Sequence, residues 1–147
     1  MSVQAYINFN GNCKEAVKYY AEIFGTDEPQ IMYFREMPPN PDFELPEEAL
    51  DLVLHTSLVI HDTTVMFSDI FPGMPFIVGN NISLTVLSND MNEVESLFAK
   101  LKEEGSVEME LQETFWSKCY GSLTDKFGIV WQFSYEENPV DLDETEI

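Results

Sequence analysis

Apolar and polar positions along this chain alternate, shift to a helical period, and alternate again, and they do so twice. The run Val3-Gln4-Ala5-Tyr6-Ile7-Asn8-Phe9 has the period of a strand and passes into a helix start at Asn12. The run Ile82-Ser83-Leu84-Thr85-Val86-Leu87 does the same and reaches a second helix start at Asp90, 78 residues after the first. In the first helix, Ala16, Tyr19, Tyr20, Ile23 and Phe24 form one apolar stripe before Gly25 stops it; in the second, Val94, Leu97, Phe98 and Leu101 do so before Gly105. Asn12 with Glu15, and Asp90 with Glu93, have the spacing of capping pairs. Further strands are predicted over 30–36, 52–60, 63–68, 107–113, 118–124 and 129–135. Ser57-Leu58 with Phe67-Ser68 returns as Ser122-Leu123 with Phe133-Ser134, one residue longer in the turn between. His61-Asp62 and Phe127-Gly128 suit those two turns, and His61 is expected to be exposed.

The pattern predicts an α+β protein made of two βαβββ modules. Module one is expected over 1–70, a linker rich in proline and glycine over 71–79, module two over 80–135, and an acidic tail over 136–147. The whole reads as a single domain in which paired modules form a curved mixed sheet with a cleft and the helices lie outside. Pro38, Pro39, Pro41 and Pro46 mark a long loop that cannot pair in a sheet. A chain of 147 residues buries roughly 70% of its unfolded surface, so disulfides are not needed for stability. Its two cysteines, Cys13 and Cys119, lack metal-type spacing and point to free thiols in a reducing, cytoplasmic setting. No targeting segment or membrane span is expected.

Charge narrows the partners. There are 27 acidic against 7 basic residues, a formal net charge of −20, which repels phosphate backbones and anionic headgroups. Neither nucleic acid nor a membrane is an expected partner. The acidic stretches at 36–51 and 136–147 read either as docking surfaces or as solvated segments.

Several motifs carry a family resemblance. Tyr6-Ile7-Asn8-Phe9-Asn10-Gly11-Asn12-Cys13, His55-Thr56-Ser57-Leu58, Phe67-Ser68-Asp69, Leu111-Gln112-Glu113-Thr114-Phe115-Trp116 and Thr124-Asp125-Lys126-Phe127-Gly128 resemble the PhnB-like branch of the vicinal oxygen chelate superfamily. That superfamily includes glyoxalase I, extradiol dioxygenases and the bleomycin-resistance proteins. The branch also carries an old label, demethylubiquinone methyltransferase, although no strand here runs into a glycine-rich cofactor loop. The resemblance implies a glyoxalase-like fold, a homodimer, and, in the enzymes, a divalent metal held by histidines and glutamates from the first and last strands of each module. In this chain those strands offer Gln4, Tyr6, Asn8, Met66, Ser68, Asp69, Ser83, Thr85, Gln132 and Ser134. The usual four-ligand site is therefore not expected.

The leading expectation is a protein that binds a small molecule in its cleft through Trp116, Glu113, Gln112 and His55, without the usual four-ligand metal site and either without metal or with a noncanonical one. Aromatic side chains beside polar donors suit a planar ligand, and a tryptophan face suits a cation. The alternative is a glyoxalase- or dioxygenase-like enzyme that holds a divalent metal with His55, Asp69 and Glu113. Each residue also has a plainer reading: His55 and Glu113 as polar groups at strand ends, and Trp131 as core. Cys119, beside Lys118, is a weak candidate nucleophile.

Overall fold

Alternation places Phe9, Leu58, Val65 and Phe67 on one side of a four-stranded sheet, and the apolar stripe of a helix covers that side. The structure, a computed structural model, describes residues 1–137, and every count below refers to these. The tail expected over 136–147 lies, beyond Glu137, outside the described residues. The chain divides into two compact units, Met1–Ile77 and a second beginning at Val78. Together they hold two α-helices and two four-stranded mixed sheets, an α+β fold.

In the first unit, β1 (Tyr6–Phe9), α1 (Cys13–Phe24), β2 (Met32–Tyr33), β3 (Val53–Ile60) and β4 (Thr63–Asp69) form a sheet of order β1-β4-β3-β2. β1 runs parallel to β4, and β3 antiparallel to both β4 and β2. Tyr20 of α1 stacks on Phe67, which stacks in turn on Phe9, with ring centroids 5.9 and 6.3 Å apart. Gly25 ends α1 in the left-handed region (φ 64°), where glycine has no Cβ to clash. The turn between β3 and β4 places His61 and Asp62 at φ 49° and 66°, the conformation of a tight two-residue hairpin.

Two local expectations change. The strand predicted over 30–36 pairs only at Met32–Tyr33, and Phe34–Glu36 then coils into a 3₁₀ turn. There the Glu36 carboxylate accepts the Tyr33 N–H (2.6 Å), a local bond that competes with the ladder. Asn12 precedes α1 but makes no side-chain cap. The cap comes from Asp69 at the end of β4, whose Oδ1 accepts the N–H groups of Gly11 (2.9 Å) and Cys13 (3.0 Å). Its Oδ2 accepts from Val53 N (2.9 Å), so a single buried carboxylate fixes the start of α1 and the start of β3.

The second unit repeats the order: β5 (Ser83–Ser88), α2 (Met91–Lys102), β6 (Ser106–Gln112), β7 (Tyr120–Thr124) and β8 (Val130–Tyr135), arranged β5-β8-β7-β6. Val86, Leu123 and Phe133 are buried with Leu97, Phe98 and Leu101 of α2, and Phe98 meets Phe133 edge to face at 5.5 Å. Here the helix caps itself, since Asp90 Oδ1 accepts from Asn92 N and Glu93 N. Gly105 is required by space: a Cβ there would stand 2.6 Å from the Thr124 carbonyl oxygen. Trp131 is buried, and its indole N–H donates to Asp125 Oδ2 (2.9 Å), while Asp125 Oδ1 accepts from Phe127 N and Ile129 N. No helix among the described residues is long and apolar enough to cross a membrane.

Candidate functional site

Between β6 and β7 the chain makes a short connection whose shape follows from two hydroxyl residues. Thr114 N donates to the Ser117 carbonyl (2.9 Å), and Ser117 N donates to Thr114 Oγ1 (3.1 Å). The four residues 114–117 thus close on themselves, with Phe115 and Trp116 at the tip. Ser117 is buried and anchors the turn. Its Oγ accepts from Cys119 N (3.2 Å) and lies 2.9 and 3.0 Å from the carbonyls of Cys119 and Tyr135, either of which can take its proton.

The tip is left in water. Phe115 is 97% and Trp116 51% exposed, although burying such side chains would contribute about 1.5–3 kcal/mol each. Their rings meet at 83° with centroids 4.8 Å apart, and Trp116 meets Tyr120 at 69° and 5.2 Å. Tyr120 is steadied from behind, since its hydroxyl donates to Gln132 Oε1 (2.7 Å) and Gln132 Nε2 donates to Ser83 Oγ (2.7 Å), a row of bonds across β7, β8 and β5.

Beside the tip is a cavity of about 500 Å³ lined by Glu113 through Lys118 and by Tyr135, Glu136 and Glu137. Lys118 and Glu137 form an ion pair at its rim. The hydrogen bond and charge of Glu137 hold the Lys118 ammonium above its usual range, with smaller help from Tyr135 and Glu113, and Lys118 holds the Glu137 carboxyl below its own. Ser134 Oγ donates to Glu136 Oε1 (3.1 Å).

The residues singled out from the sequence fall in different places. Glu113 and Trp116 line this cavity. Gln112 closes β6 next to it, exposed, and donates its amide to the Glu110 carbonyl (3.1 Å). His55 belongs to the first unit, exposed on the sheet face away from α1, with Nδ1 3.4 Å from the Tyr6 hydroxyl. Asp69 lies on the opposite face of that same sheet, and both its oxygens are taken by backbone N–H groups. Two pairs of the strand positions from which the superfamily draws ligands bond to each other, Ser68 Oγ donating to Asn8 Oδ1 (3.0 Å) and Gln132 Nε2 to Ser83 Oγ (2.7 Å). Among the described residues no three His, Cys, Asp or Glu side chains group as metal ligands. Burial pushes the Cys13 thiol up to about 12, aided by Asp69, and also raises Cys119, so neither is an activated thiol. Ser117, Tyr135 and Glu136 do not stand out in the sequence as site residues, since the bond from Ser117 Oγ to the Tyr135 carbonyl spans 18 residues.

Two βαβββ units of identical strand order define the vicinal oxygen chelate, or glyoxalase/bleomycin-resistance, fold. A glyoxylase/bleomycin resistance protein/dioxygenase domain from Frankia sp. EAN1pec is similar in structure, with TM-score 0.62 over 92% of this chain and 96% of that one, at 11% identity. Within that class the chain belongs to the PhnB-like family described as 3-demethylubiquinone-9 3-methyltransferase, whose family model matches residues 2–134. It is similar to protein PA1353 from Pseudomonas aeruginosa (32% identity, TM-score 0.81, covering 92% of this chain and 98% of that one). It is also similar to protein YjdN from Escherichia coli strain K12, 31% identical over 144 residues, or 91% of this chain and 95% of the relative.

Proposed function

We propose that this protein binds a small organic molecule at the aromatic turn and cavity of its second unit, with Trp116 as the main contact and Glu113 beside it. The observation that supports this reading is the fixed exposure of Phe115 and Trp116 on a turn closed by Thr114 and Ser117. Adjacent large rings held in water are a mark of a surface that binds something. The cavity of about 500 Å³ is within the range that suits a small ligand. Binding rather than metal-assisted catalysis is the reading adopted, because Asp69 serves the fold with both oxygens. Association into a homodimer, in the cytoplasm, belongs to the same proposal and is checked by sedimentation and fractionation.

Methyl transfer, which the family description names, calls for a donor site, and open N–H groups at a strand-to-helix turn are one place that could hold an anionic group of the donor. At the two such junctions here the N–H groups of Gly11 and Cys13 are bonded to Asp69, and those of Asn92 and Glu93 to Asp90. The residues present do not fit that use.

The test is a screen of a chemically mixed small-molecule library by change in tryptophan emission, after which the affinity of each ligand found is measured by titration calorimetry for the protein and for Trp116→Ala. A ligand whose affinity falls about 10-fold or more in Trp116→Ala, at an unchanged unfolding midpoint, supports the assignment. Equal affinity of both proteins for every ligand found overturns it.

A further inference from the structure

The chemistry around the aromatic turn says more about the ligand than its size. We infer that the site selects an organic ammonium ion, a positively charged nitrogen carried on a small aromatic or apolar body. This rests on the reading of the turn as a binding site.

Three features converge. The rings of Phe115 and Trp116 stand nearly at right angles, 83°, and that of Trp116 stands at 69° to Tyr120, so the tip is an aromatic corner. The face of an aromatic ring is electron-rich, indole most of all, and it attracts a cation and repels an anion. The cavity beside the corner is lined by three carboxylates, Glu113, Glu136 and Glu137, against one ammonium, Lys118. Lys118 is paired with Glu137, which leaves Glu113 and Glu136 to set the sign of the site. The rise in the Lys118 ammonium, to which Glu113 contributes from a distance, reports the same negative surroundings. Over longer range the formal charge of −20 draws cations toward the surface and keeps anions away.

Other ligand classes fit less well. An anion would find Lys118 as the sole cation on the lining, already engaged by Glu137. A bare metal ion would find no histidine there and three carboxylates, one of them already paired with Lys118, and it would make no use of the rings. A neutral planar molecule would use the rings and gain nothing from Glu113 or Glu136. An ammonium ion on an apolar stem uses both, and the stem recovers the burial that Phe115 and Trp116 otherwise lack.

The test titrates the whole protein with three probes of similar shape: benzyltrimethylammonium, its uncharged carbon analogue neopentylbenzene, and benzoate. The expected result is at least about 10-fold tighter binding of the ammonium than of the neutral analogue, with benzoate weakest. That preference should shrink several-fold in Glu113→Gln and Glu136→Gln and in 0.5 M salt, and should grow in Lys118→Gln, where Glu137 is freed. Trp116→Phe should keep part of the ammonium binding that Trp116→Ala loses. Equal binding of the ammonium and the neutral analogue, both lost in Trp116→Ala, overturns the ammonium assignment while leaving the binding site in place. Tighter binding of benzoate overturns it as well. Silence from all three probes overturns it, and if the broad library is also silent, the binding reading falls with it.

Discussion

The two units share one strand order and one helix position, yet each is held by a different buried aspartate. In the first, Asp69 reaches from the end of β4 to Gly11 and Cys13, 58 and 56 residues away in sequence, and to Val53. In the second, Asp125 collects Phe127 N, Ile129 N and the Trp131 indole, all within six residues. Both carboxylates accept three N–H groups. Asp69 ties three elements together: the end of β4, the β1 to α1 junction and the start of β3. Asp125 builds a local turn, and α2 takes its cap from its own Asp90. A repeated architecture therefore does not require repeated wiring: the same backbone N–H groups must be satisfied, and any acceptor within reach will do.

The largest expected effect tests that difference directly. Replacing Asp69 by alanine strips three donors of their acceptor and should cost about 3–5 kcal/mol, while Asp125→Ala should cost somewhat less, about 2–4 kcal/mol. Amide exchange separates them: Asp69→Ala should speed exchange at Gly11, Cys13 and Val53, and Asp125→Ala at Phe127 and Ile129. Equal acceleration through both units in either variant would break the comparison.

A middle-sized effect concerns the helix starts. Asp90→Ala should destabilise by about 1 kcal/mol through loss of its cap. Asn12→Ala, at the corresponding position of α1, should change stability by less than about 0.5 kcal/mol, because the Asn12 side chain caps nothing. Chemical denaturation of the two variants side by side reads this, and an Asn12→Ala cost equal to that of Asp90→Ala would restore the local cap.

The smallest effect is expected from the exposed ion pairs, Arg35–Asp51 in the first unit and Lys118–Glu137 in the second. Lys118→Gln or Arg35→Gln should shift the unfolding midpoint little, since water and salt screen such pairs. The direction with pH is fixed. The Glu137 carboxyl is lowered in the folded state, so its contribution is present above the usual carboxylate range and fades as pH falls through its folded value. The Lys118 ammonium is raised, so its contribution is present below the usual lysine range and fades as pH rises through its folded value.

Much of this was readable one-dimensionally. The repeat, the two helices with their apolar stripes, the Gly25 stop and the His61-Asp62 turn all depend on contacts within a few residues, and period and turn chemistry report those. The strand expected over 30–36 shortens to Met32–Tyr33 because Glu36 folds back on Tyr33 and closes a 3₁₀ turn, a competition that alternation does not record. At the site, Trp116 and Glu113 were legible as an aromatic and an acid close together in sequence. Ser117 was not, because its importance lies in a bond to the Tyr135 carbonyl, 18 residues further on.

The sequence by itself determined the duplication, the α+β class, the acidic character and the aromatic pair at the β6–β7 turn, since each is a property of composition or near neighbours. Tertiary structure alone decided that Asp69 caps a helix from another strand, that His55 and Asp69 lie on opposite faces of one sheet, and that Phe115 and Trp116 are held out in water beside Glu136. Those facts depend on which distant N–H, carbonyl and carboxylate groups the folded chain brings within hydrogen-bond reach, and that pairing is fixed by three-dimensional packing rather than by spacing along the chain.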